Sequence, residues 1–186
     1  MSNHPYARRG DPGPLGTGDL SPRPASGSVT VICEVMEIQH TNNAGFVHGG
    51  SIMRLVDTAA GIAAVRHSRS RVVTAAMDDM SFLSPVFLGD ILTVFATVND
   101  THRTSMEVGV RVEVETVPSG VIRHVASAHL VFVALDGDGR PTPVPPVVAE
   151  TDVERRRQAQ AKVRRAQRLV RKSALDQAAG GSDTDS

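Results

Sequence analysis

Residues 49–67 read GGSIMRLVDTAAGIAAVRH, and the fold turns on this stretch. Ile52, Met53, Leu55, Val56, Ala59, Ala60, Ile62, Ala63, Ala64 and Val65 leave little polar face. The pattern predicts a helix of roughly 18 residues, apolar nearly all round and therefore buried. Upstream, Val29, Val31, Cys33 and Val35 alternate with polar or smaller residues, which predicts a strand. A polar loop, HTNNAG, leads from it into FVHGG. Downstream, the segments 71–80, 90–100, 104–117 and 121–135 are rich in Val, Thr and Ile and read as strands. Turn chemistry separates them at Ser84-Pro85, Leu88-Gly89-Asp90, Asn99-Asp100 and Pro118-Ser119-Gly120. The order is β-α-β-β-β-β, an α+β chain. One helix cannot cover both faces of such a sheet. A long antiparallel sheet curled around one buried helix satisfies both elements, and its other face and edges then call for a partner copy.

The remaining sequence sets bounds. A length of 186 residues predicts one domain with tails. A hydrophobic fraction of 40% and a charged fraction of 22% are those of an ordinary globular chain. Cys33 is the only cysteine, which excludes a disulfide scaffold and fits a reducing compartment, so a cytoplasmic location is expected. No run of 18 apolar residues and no secretory leader are seen, so membrane insertion is not expected. The net charge of zero removes a global argument for nucleic acid as a partner. The zero hides an asymmetry, since residues 1–153 hold 11 Lys+Arg against 16 Asp+Glu, and residues 154–186 hold 9 against 4. Residues 1–27 are rich in Gly, Pro and Ser and are expected to be disordered. Residues 28–148 form the expected domain and 149–177 a basic C-terminal helix, and 178–186 are expected to fray. Thr151 or Asp152 can cap that helix, and Ala159, Val163, Ala166 and Val170 fall at 4-3-4 spacing as a narrow apolar seam.

Few residues could carry chemistry. Gly49 and Gly50 sit where a loop becomes a helix, with unpaired N–H groups at the positive end of the dipole. They suit a carbonyl oxygen or a developing oxyanion, or else only permit a tight turn. Asp57 is the odd residue of an apolar helix. It is either an i,i+3 partner of Arg54 or a general base or nucleophile facing a cleft. His48 and His67 are each more readily structural than catalytic. Asp78 and Asp79, on a strand, are expected to point to opposite faces. Asp136-Gly-Asp-Gly lacks the closing Glu of a calcium loop and reads as a hairpin turn. With no CxxC, HExxH or HxxxH pair, no metal site is expected, and no nucleotide loop or GxSxG elbow is present.

The stretches NNAGFVHGGSIMRLVDTAAGIAAVRH, VVTAAMDDMSFLSPVFLGD and RTSMEVGVRVEVE resemble the hotdog-fold acyl-CoA thioesterases, brain-type acyl-CoA hydrolase and its bacterial relatives in particular. The ending FVALDGDGRPTPVPPV with its charged helix is similar too, so the resemblance spans about residues 29–172. It implies a hotdog fold and the reaction acyl-CoA plus water giving a free acid and CoA, with no cofactor. It implies a site between two units, with Asp57 on the central helix of one and Asn42 in the loop of the other. Gly49 and Gly50 match the paired glycines, and a backbone N–H near Gly50 would receive the thioester carbonyl. The neighbouring Asn43 shifts the Asn42 assignment by at most one position. Arg103, with Thr104, Ser105 and Arg71, would meet the phosphorylated end of CoA, and the acyl chain would run past Phe82, Pro85 and Met53. His48 stands where relatives carry His or Phe, and Ser81 where they often carry Asn. A homodimer is the minimum assembly, and a trimer of dimers, a hexamer, is what the resemblance suggests. The competing expectation is a hotdog domain that binds acyl-CoA without turnover, a sensor acting through its basic C-terminal helix.

Overall fold

The computed structural model describes residues 18–180. The tails expected at 1–17 and 181–186 lie outside the described residues.

Five strands form one antiparallel sheet: β2 (Thr30–Val35), β3 (Arg71–Phe82), β4 (Ile91–Thr101), β5 (Ser105–Thr116) and β6 (Val121–Leu135), in the order β2-β4-β5-β6-β3. Their bounds fall within two residues of those expected. The helix α1 (Gly49–Ser68) lies on the concave face, and its buried residues Ile52, Leu55, Val56, Ala59, Ala60, Ala63 and Ala64 repeat at helical spacing. Alanines on this stripe let the sheet approach closely. The sheet answers with Leu92, Val94, Val108, Val112, Ala126, Ala128 and Leu130, all at most 1% exposed. This is the sheet-around-helix architecture that the element order called for.

Several features differ from the sequence reading or go beyond it. Residues 18–27 were expected to be disordered, yet β1 (Arg23–Pro24) pairs in parallel with β7 (Val147–Val148), and a 3-10 turn spans Ala25–Ser28. The Arg23 guanidinium donates to the His67 carbonyl at 2.6 Å, which ties this strap to the end of α1. Second, α1 is not buried all round, because Met53, Asp57, Ile62 and Val65 line an exposed face. Third, the alternating apolar set of β2 faces away from α1: Val31 and Val35 are each 53% exposed, while Ile32 packs on the core. Period 2 identifies the strand but not which face is covered.

The fourth concerns α2 (Asp152–Gly180). Thr151 and Glu154 form a reciprocal cap, the Glu154 carboxylate accepting from the Thr151 and Glu150 N–H groups. The seam Ala159-Val163-Ala166-Val170 does not dock on the body. Val163 and Val170 are 57% and 70% exposed. The helix is held instead by Ala161, which is buried, and by polar residues on the same face. Gln158 donates to Asp100 at 3.1 Å, Arg164 to Glu107 at 2.6 Å, and Arg168 pairs with Asp78. Beneath them lies a buried polar layer. Asn99, the bulged residue of β4, donates to Glu107 at 3.2 Å and lies over Gly109, where a Cβ would come within 2.5 Å of the Asn99 amide. The strand irregularity between Met77 and Asp79 likewise breaks the alternation. Asp78 reaches Arg168, and Asp79 stands opposite His129 on the same, convex face, so the two do not point to opposite sides.

Candidate active site

Asp57 is exposed on the uncovered face of α1, and its Oδ1 accepts a 2.7 Å hydrogen bond from Thr74 Oγ1 on β3. The pair with Arg54 does not form, since Arg54 lies 3.9 Å from Glu34. The hydroxyl fixes one carboxylate oxygen and leaves the other directed to solvent. Beside it runs an open groove of about 430 Å³, lined by Asp57, Thr58, Gly61, Ile62, Val65, Arg66, Val72, Thr74 and Phe132. Its walls are mostly apolar. A carboxylate at the head of an apolar trough can act on a polar group whose attached chain lies along the trough. The trough leads toward the C-terminal half of α1, away from Met53, Phe82 and Pro85, past which the acyl chain was expected to run.

At the start of α1, His48 is the cap: its Nδ1 accepts from the Gly50 N–H at 3.2 Å. The donor expected to be open is thus occupied by an internal acceptor. Gly49 faces Phe82, whose ring lies 3.5 Å from where a Cβ would stand, an ordinary packing distance. Asn42 is exposed in the preceding loop. Its Oδ1 accepts from the N–H groups of Ala44 at 2.9 Å and Phe46 at 3.2 Å, so it builds the turn with its oxygen. Among the described residues nothing accepts from its Nδ2. Gly49 and Asp57 are eight positions apart, about 12 Å of helix rise.

The remaining candidates gather elsewhere. Arg103 and Thr104 form the tip of the tight turn between β4 and β5, closed by His102 and Ser105. Their carbonyls accept from Val144 and Ala134, and the Arg103 side chain is exposed. Arg71 opens β3, opposite Leu135. These four residues sit at the end of the sheet where α1 finishes, whereas His48, Gly49, Gly50 and Phe82 sit where it begins. Eleven strand steps separate Arg71 from Phe82, about 36 Å.

Two histidines have lowered pKa values. His67 is buried, with Nε2 2.9 Å from the Pro145 carbonyl, and burial holds its pKa below the usual imidazole value. His129 is depressed in the same way, by burial and by the Arg164 charge. Asp136 accepts from the Asp138 and Arg140 N–H groups within a hairpin turn. Among the described residues no group of three His, Cys, Asp or Glu is placed to hold a metal ion, and no helix is long and apolar enough to cross a membrane. Thr74 is the residue the sequence did not single out, because a threonine within a β-rich segment carries no signal of its own.

Comparison with known proteins bears on this arrangement. Residues 44–120 match the family model described as the thioesterase superfamily. An uncharacterised acyl-CoA thioester hydrolase of Bacillus subtilis is 42% identical over 114 residues, 61% of this chain and 66% of that one. One from Zymomonas mobilis is 40% identical over 114 residues, covering 58% and 72%. The match spans only 30% of the length of the rat cytosolic acyl coenzyme A thioester hydrolase, at 38% identity and over 61% of this chain. Among solved structures, the acyl-CoA hydrolase of Staphylococcus aureus, in complex with butyryl coenzyme A, coenzyme A and coenzyme A disulfide, superposes with a TM-score of 0.79. Its identity is 34%, over 85% of this chain and 96% of that one. Further structures of that hydrolase carry alanine in place of an asparagine, an aspartate and a threonine. An apo acyl-CoA thioesterase described as hexameric is also 34% identical, with a TM-score of 0.79 over 81% and 97%. With this fold, these matches and a helix carboxylate set over an apolar groove, the chain belongs to the thioesterase superfamily, among the hotdog-fold acyl-CoA hydrolases.

Proposed function

We propose that the chain hydrolyses the thioester of an acyl-CoA to a free acid and CoA, with Asp57 as general base or nucleophile. The observation that carries this is the exposed Asp57 carboxylate, held through Oδ1 by Thr74 at the head of an apolar groove. The spacing of substituted residues in the Staphylococcus aureus hydrolase supports it. Its asparagine, aspartate and threonine stand 15 and 17 positions apart in sequence order, as Asn42, Asp57 and Thr74 do here.

The chemistry follows from the groups. As a base, Asp57 takes a proton from water with its free oxygen, the water oxygen bonds to the thioester carbon, and the C–S bond breaks to release CoA as thiolate. As a nucleophile, the carboxylate displaces the thiolate to give an anhydride, which water then opens. A thiolate is a good leaving group, so no strong acid is demanded. The Gly50 N–H would receive the carbonyl oxygen once it displaces His48 Nδ1. Asn42 would come from a second copy, with its Nδ2 turned to the water or the carbonyl. Arg103, Arg71, Thr104 and Ser105 of the far end would then meet the phosphates of CoA. A homodimer is the least such assembly, with a trimer of dimers in keeping with the hexameric relatives. A cytoplasmic setting accords with relatives described as cytosolic.

The test is thiol release from acyl-CoAs of short to long chain, with wild type and Asp57→Asn side by side. Wild-type turnover that falls by about a hundredfold or more in the variant, with mass and folding intact, is the expected result. Equal turnover by both would discard Asp57. Acyl-CoA binding without turnover by the wild type would make the chain a sensor.

A further inference from the structure

We propose that the last 12 residues of α2, 169–180, form a clasp that lies on the convex sheet face of a second copy of this chain. The inference rests on the two-copy reading above, but its test does not use activity. Gln158, Arg164 and Arg168 bond to Asp100 on β4, Glu107 on β5 and Asp78 on β3. From Gln158 to Arg168 the helix rises about 15 Å. From β4 to β3 the sheet spans three strand spacings, about 14 Å. The helix therefore runs square across the strands and reaches the β3 edge at Arg168.

Beyond Arg168 there is no more sheet beneath it. Among the described residues β3 pairs only with β6, so its outer edge is open. The helix nevertheless continues for about 18 Å. Leu169 and Leu175 are 49% and 60% exposed, and no residue from 169 to 178 is buried. A helix that overhangs an open strand edge lies above whatever body abuts that edge. A second copy is the occupant that fits, because the strand edge that β3 leaves open can be completed by another sheet of the same kind, which brings that copy's convex face beneath the overhang. Its convex face also offers unfilled room beside its own α2, a groove of about 640 Å³ whose walls hold Val29 and Phe95 together with Arg111, Arg156, Arg157 and Glu113.

The experiment places a photo-crosslinking phenylalanine analogue at position 175 in the full chain. Mixed nitrogen-14 and nitrogen-15 copies are irradiated and the linked peptides are sequenced. Mixed-isotope links from 175 to β3, β5 or β6 are expected. In parallel, a chain ending at Arg168 and a full-length Val170→Asp/Leu175→Asp variant are followed by sedimentation through a dilution series. Both should dissociate at a concentration at least tenfold above that of wild type. Links confined to one copy, or unchanged dissociation in both variants, would overturn the clasp. Loss of binding to phosphatidylglycerol vesicles in both variants, with dissociation unchanged, would overturn it too and give the segment to a lipid surface. A copy that clasps but releases no thiol would refute the hydrolase reading alone.

Discussion

The two faces of the sheet hold a helix by opposite means. On the concave face α1 is bound by aliphatic burial, with Leu55, Val56, Ala59, Ala60 and Ala63 at 3% exposure or less. On the convex face α2 is bound by directional polar pairs over a buried carboxylate, and its apolar seam is left to solvent. Burial of the first kind is non-directional and sums over area. The second kind repays its desolvation only while every partner stays in place. The two faces should therefore fail differently.

The sharpest break is expected on the concave side. Leu55→Ala empties a fully packed site and should lower unfolding stability by about 2–5 kcal/mol, read from urea midpoints. Next comes the convex pair. Arg164→Met leaves Glu107 buried without its cation and should cost about 2–3 kcal/mol, below the range for a wholly buried pair because Arg164 keeps 20% exposure. Adding Glu107→Met in the same chain should recover most of that loss. A double variant as unstable as the single one would show that apolar packing matters more on this face than charge pairing. Acid should then act on both helices. His67 and His129 have folded pKa values below the usual imidazole value. The unfolded chain takes up protons first, so stability should be flat above about pH 6.5 and fall as pH drops below it. A urea midpoint independent of pH from 8 to 5.5 would contradict that. The smallest effect belongs to the outward seam, where Val163→Ala should change the urea midpoint of an isolated copy by less than about 0.5 kcal/mol.

Legibility in the sequence follows the same division. The concave helix and the strands that wrap it are written as apolar periodicity, so α1 and the succession of elements could be read directly. Periodicity cannot say which side of a strand or helix finds cover. Val31 and Val35 on β2, and Val163 and Val170 on α2, are periodic and face outward, while the docking residues Gln158, Arg164 and Arg168 look like an ordinary wetted face. Bulges at Asn99 and near Asp78 depend on cross-strand register, which no local pattern encodes. Asp57 was legible because a carboxylate is conspicuous among alanines. Its partner Thr74 was not, because 17 residues and a turn separate them in the chain.

The cap at His48 has one further consequence. On the proposed mechanism the Gly50 amide proton has two competing acceptors, the imidazole of its own chain and the carbonyl of an arriving ligand. Its magnetic resonance frequency and its exchange with heavy water should thus report occupancy at a single backbone position. Binding could then be followed in the Asp57→Asn protein, where turnover is expected to fall far enough that little product accumulates to blur the reading.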